Sequence, residues 1–164
     1  MTPHGLDETW LETLREREDR MLWDVVVTHV HASDWDRALS ALRRASESDT
    51  AIEIVEDIDG SAADAFGVDG TGLDDGVQRR VLVKLAGEAE AHAHFFAVDE
   101  IEFDVDPREL SARSGAALLR LMKILAISTS RPCLLTPENV HHRPMVAFDP
   151  TSGMFSMFET PARS

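Results

Sequence analysis

The stretch EAEAHAHFFAVDEIEFDVDP, residues 88–107, sets His92 and His94 two positions apart among carboxylates. On a strand, alternate side chains share a face, so the two imidazoles can reach one metal ion if a third ligand converges on it. The pattern recurs in THVH, where His29 and His31 also share a face, and the chain adds the adjacent His141 and His142. A metal-dependent enzyme or metal-binding module would use His29, His31, His92 and His94. It requires the two H-x-H strands to be neighbours with their imidazoles on the same side. His29 and His31 share parity with the apolar Trp23, Val25 and Val27, whereas His92 and His94 oppose their own strand's apolar face. One strand must therefore bend or bulge for the pairs to meet. The reading that needs no such bend makes the histidines part of a solvated acidic face.

The same stretch carries a second chemistry. Ala89, Ala91, Ala93, Phe95, Ala97, Ile101, Phe103 and Val105 alternate onto one face, which is core. Glu88, Glu90, Glu100, Glu102, Asp104 and Asp106 fall on the other. Across the chain 30 Asp+Glu oppose 16 Lys+Arg, for a formal net charge of -14. That field repels phosphate backbones and anionic lipid, so neither nucleic acid nor membrane is an expected partner. It attracts a cationic protein and can raise association rates roughly 10- to 1,000-fold. Candidate contacts are Asp57, Asp59, Asp69, Asp74 and Asp75 in a Gly- and Asp-rich loop, with Glu100, Glu102 and Asp104 on the strand.

Catalytic motifs are absent. GTGLDDG (70–76) is not G-x-G-x-x-G, its aspartates would repel a phosphate, and no P-loop, G-x-S-x-G or H-E-x-x-H occurs. No cofactor is expected. The single cysteine, Cys133, excludes an internal disulfide and points to a reducing cytoplasm. It sits beside Leu134 and Leu135, where packing explains it without a reactive thiolate. The start MTPHGLDETWLE lacks a basic n-region followed by an apolar h-region, so export is not expected. The most apolar run, GAALLRLMKILAI (115–127), is interrupted by Arg120 and Lys123 and falls short of the roughly 20 residues that span a bilayer.

These residues must be positioned by a small set of elements. At 164 residues one domain with a real core is the expectation. Residues 6–20 form a peripheral helix with Leu6, Trp10 and Leu14 along a narrow stripe. MLWDVVVTHVH (21–31) is a central strand. Ser33 with Asp36 starts a helix to about residue 47, and AIEIVE (51–56) is a strand, so a strand–helix–strand crossover covers one sheet face. Residues 57–76 form the acidic loop. VQRRVLVKLA (77–86) and residues 88–107 are antiparallel strands joined near Gly87, with a bend near Asp99 and Glu100. Asp106, Pro107 and Glu109 mark the start of a helix to about Ile127 that buries Leu118, Leu121, Met122 and Leu125. Residues 132–136, 144–148 and 154–159 are short strands, the last two joined through DPTSG. The total is an α+β domain over 21–164: a mixed β-sheet with two main helices and the N-terminal helix at its edge, for which a ferredoxin-like variant is one arrangement.

The run LLRLMKILAISTSRPCLLTPENVHHRPMVAFDP (118–150) resembles small bacterial proteins of the toxin-immunity type, through Arg131, Pro132, Leu134, Leu135, Thr136, Glu138 and Asn139. The resemblance implies stoichiometric neutralisation of a partner toxin rather than catalysis. Charge and resemblance together give a small acidic binding protein, with a basic partner such as a nuclease toxin.

Overall fold

The computed structural model describes residues 5–18, 21–58, 60–62, 80–94 and 97–159. Eight strands form one sheet: Trp23–Thr28 (β1), Ile52–Glu56 (β2), Arg80–Leu85 (β3), Ala89–His94 (β4), Glu100–Val105 (β5), Cys133–Pro137 (β6), Val146–Asp149 (β7) and Met154–Met157 (β8). Their order is β2-β3-β4-β5-β1-β6-β7-β8. Among the described residues three α-helices accompany them: Trp10–Arg17 (α1), Ala32–Ser48 (α2) and Ala112–Thr129 (α3). The chain is an α+β domain, and among the described residues no helix is long and apolar enough to cross a membrane.

Period-2 alternation decides which face is which. Register pairs Trp23, Val25 and Val27 of β1 with Val105, Phe103 and Ile101 of β5, and Val25 with Leu135 of β6. These side chains are buried and join Trp35, Leu39 and Leu42 of α2 and Leu118, Leu121, Met122 and Leu125 of α3 in one core. The two helices pack on each other and on the same face of the sheet. α1 docks through Trp10, Leu11 and Leu14, all buried. Gly115 makes that approach possible, because a Cβ there would stand 3.0 Å from Leu11 Cδ2 and 3.4 Å from Trp10 Cζ2.

The sheet is antiparallel at every neighbouring pair rather than mixed. The crossover from β1 through α2 does cover one face, but β2 lies at the sheet's edge. The meander β3-β4-β5 fills the space between, closed by the turn at Ala86 (φ 53°) and Gly87 (φ 70°) and by a second turn before Glu100. β6-β1-β5 with β2 further out is the strand order of a split β-α-β arrangement, here with β3 and β4 inserted and β7-β8 added.

Two helix starts differ from expectation. α2 is capped by His31, whose N–H donates to Asp34 Oδ2 at 2.8 Å, while Asp36 instead accepts from the Ala62 N–H at 2.7 Å. Asp106, Pro107 and Glu109 form a single 3-10 turn, with the Arg108 N–H donating to Asp106 Oδ1 at 3.0 Å. Leu110 then turns into the core, and Ser111 caps α3 through a reciprocal pair with Ser114 at 2.7 and 3.2 Å. A second cap five residues on is needed because Leu110, in extended conformation, interrupts the helical run.

Candidate functional site

On the face opposite the helices the register aligns polar side chains in rows. One row runs Glu56, Leu82, His92, Asp104, Asp24, Thr136 across β2, β3, β4, β5, β1 and β6. The next places Glu102 beside Val26 and Leu134, and Glu100 lies opposite Thr28. Glu53, Lys84 and Glu90 form a third row on the β2 side. The face is thus acidic, with Lys84 and Arg80 as its strand cations and Arg80 paired to Glu56. The outer surface of the helical layer is less acidic: Arg37, Arg44, Arg113, Arg120 and Lys123 are exposed there and α3 contains no acid, while α2 also exposes Glu47 and Arg37, Arg113 and Arg120 pair with Asp34, Glu88 and Asp49.

Asp24 is the exception in its strand, a carboxylate inside WDVVVT, and it is fully buried. Its neighbours explain how. After β6 the chain turns over the sheet, with the Glu138 N–H donating to the Leu22 carbonyl and Asn139 in the left-handed region (φ 59°). The Asn139 N–H donates to Asp24 Oδ2 at 2.9 Å. The turn continues with the Val140 N–H donating to the Pro137 carbonyl, which lays His141 over the carboxylates. His141 Nε2 is 3.0 Å from Asp24 Oδ2 and 3.8 Å from Glu102 Oε2, and Nδ1 is 3.1 Å from Glu100 Oε1. Asp24 Oδ1 is buried and has no hydrogen-bond partner among the described residues.

Crowding of like charge perturbs this cluster. Burial, then the negative charge of Asp24, then the hydrogen bond to Glu100 push the Glu102 carboxyl up to about 7, against a smaller opposing pull from His141. Desolvation acts to lower His141, but its bond to Asp24 and the charges of Glu100, Glu102 and Asp24 outweigh it, so the imidazole is held above its ordinary value. Near neutral pH the cluster holds protons that exposed carboxylates would release. Asp24, Glu102 and His141 each offer one ligand atom, all within 4.8 Å of one another, and no other group of three meets that test among the described residues.

The H-x-H pairs do not converge as a metal site would need. β5 lies between β1 and β4, so the two segments are not neighbours. β1 ends at Thr28; His29 stands in a turn at φ 58°, His31 begins α2, and both are exposed. The reason is local: the helix start that His31 and Asp34 close pulls the chain out of strand geometry before the pair. His92 and His94 belong to β4, and His92 Nε2 lies 3.2 Å from Glu90 Oε2. Of the acidic candidates, Glu100, Glu102 and Asp104 share β5's open face. Asp57 is engaged instead, accepting from Arg43 Nε and Nη2 at 2.7 and 3.0 Å and from the Ile58 N–H at 2.8 Å. Asp59, Asp69, Asp74 and Asp75 lie outside the described residues. Cys133 is fully buried, and burial pushes its thiol far up, away from reactivity.

Sequence reading missed Asp24 and the role of His141. The signal for Asp24 was present, an ionisable residue inside a β-branched run bound for the centre of a sheet. Comparison with protein-family models, with curated proteins and with solved structures finds no match to the chain.

Proposed function

We propose that this is a non-catalytic binding protein that docks a basic protein partner on the open face of its sheet. In its specific form it neutralises a basic toxin, such as a nuclease, in the cytoplasm. One observation carries the reading: the open face of the sheet is predominantly acidic, with Glu53, Glu56, Glu90, Glu100, Glu102 and Asp104 along β2, β4 and β5, whereas α3 on the other side carries Arg113, Arg120 and Lys123 and no acid. Such a surface steers a cationic protein toward the sheet face. The buried thiol and the lack of a nucleophile–base pair among the cluster's residues favour binding over covalent chemistry.

The test is affinity capture from host extract at low and moderate salt, run with three proteins. Wild type should retain a basic protein whose association weakens as salt rises. Reversing the face with Glu90→Lys and Asp104→Lys should abolish retention, whereas Arg44→Glu with Lys123→Glu on the helices should not. A partner indifferent to the sheet-face reversal, or no salt-sensitive basic partner at all, refutes the proposal.

A further inference from the structure

The Asp24–Glu102–His141 cluster has features that a docking surface does not require. We propose that it is a binding site for a divalent first-row cation, Zn2+ or Mn2+, ligated by Asp24, Glu102 and His141 Nε2, with Glu100 holding His141 through Nδ1. This goes beyond the docking role and stands or falls separately from it.

Three observations converge. The ligand atoms of Asp24, Glu102 and His141 lie within 4.8 Å of one another, close enough to be drawn onto one ion. Asp24 is fully buried and, among the described residues, its Oδ1 has no hydrogen-bond partner, so one oxygen of the carboxylate is out of water and free for a further ligand. Glu100 Oε1 lies 3.1 Å from His141 Nδ1, at ion-pair distance, on the side of the ring away from Asp24 and Glu102. Nε2 faces Asp24 Oδ2 and Glu102 Oε2; without an ion a protonated imidazole donates there, and a bound cation would take that proton's place. A carboxylate behind the second nitrogen of a ligating imidazole is the usual means of orienting it toward a metal. An imidazole with two carboxylates selects a borderline first-row ion over Ca2+, which prefers all-oxygen shells. Glu102 and His141 remain 28 % and 26 % exposed at the side chain, so an ion can enter and keep water ligands.

Chelator-stripped, untagged protein titrated calorimetrically with ZnCl2 and with MnCl2 should take up one equivalent. Co2+ substitution should give d–d absorption bands reporting a nitrogen ligand. Glu102→Gln, which keeps the side chain's shape, and His141→Ala should each weaken binding at least about tenfold and change the Co2+ spectrum. Glu100→Gln should weaken it roughly 10- to 100-fold while retaining one equivalent, as expected of a residue that orients a ligand. His29→Ala with His31→Ala should bind as wild type does. If His141→Ala does not fold, Glu102→Gln, checked by circular dichroism, decides alone. A wild type without a one-equivalent transition, binding unaltered in Glu102→Gln, or binding lost only with His29 and His31 would overturn the proposal and leave a proton-bridged carboxylate–imidazole network.

Discussion

Replacing Glu102 by Gln should make the metal-free protein more stable at pH 8 and leave it unchanged at pH 4.5. The folded protein holds the Glu102 proton up to about pH 7, whereas the unfolded chain releases it near the ordinary value of 4.5. Between those limits the folded state binds more protons than the unfolded state, so wild-type stability declines as pH rises through that window. Each pH unit is worth about 1.4 kcal/mol for a full proton, and the whole span approaches about 3 kcal/mol. With the side chain 28 % exposed, solvent screening reduces this to about 1–2 kcal/mol. His141 acts in the same direction at higher pH: its raised value contributes stability that is complete below 6.5 and lost as pH rises through the folded value. Lowered carboxylates such as Asp106, which the Arg108 side chain holds down, oppose both at acid pH, so the difference between variant and wild type is the proper observable. Urea unfolding of both proteins in EDTA from pH 4.5 to 8 measures it. Parallel profiles for wild type and Glu102→Gln would show that the cluster does not hold the proton and would refute the electrostatic reasoning.

Two further outcomes test the core. Cys133 should not react with a thiol reagent at pH 8 in native protein and should react promptly in urea, because burial both shields the thiol and disfavours its thiolate. Leu118→Ala, at a fully buried position of α3, should cost about 2–5 kcal/mol in chemical denaturation with little change in the Glu102-dependent pH profile.

Much of the fold was legible because period is local. The alternation in residues 88–107 assigned the core and open faces of β4 through Ala93 and of β5 correctly, and the bend near Asp99 falls where β5 begins. Gly87 and the DPTSG turn marked their hairpins. Strand order was less legible, since a crossover through α2 predicts orientation and covering but not how many strands separate its ends. The histidine pairs misled for a related reason: spacing of two implies a shared face only inside a strand, and the helix start at His31 ends the strand first. The Asp24–His141 contact spans 117 residues and depends on β6 lying beside β1 and on a left-handed Asn139. No local pattern contains that information. The T-x-E-N segment was noted for another reason, as a resemblance, yet it is the stretch that carries the chain over Asp24.

Asp24 separates the two roles assigned to the sheet face. Long-range steering is served by charges at the surface, where hydration is retained and each carboxylate still contributes to the external field. A carboxylate with 1 % side-chain exposure contributes to that field only at a desolvation cost that an exposed Glu avoids. An apolar residue at position 24 would pack between β5 and β6 as Val26 does, two positions on. The proposed docking therefore accounts for Glu90, Glu100 and Asp104 but not for Asp24. What accounts for Asp24 is the local arrangement built on it: the Asn139 N–H and His141 brought to one oxygen, the other left bare, and Glu102 raised beside it. On the two proposals, the face combines an outer set of charges, sensitive to salt, with an inner set that exchanges protons and would hold a cation, and that salt screens far less.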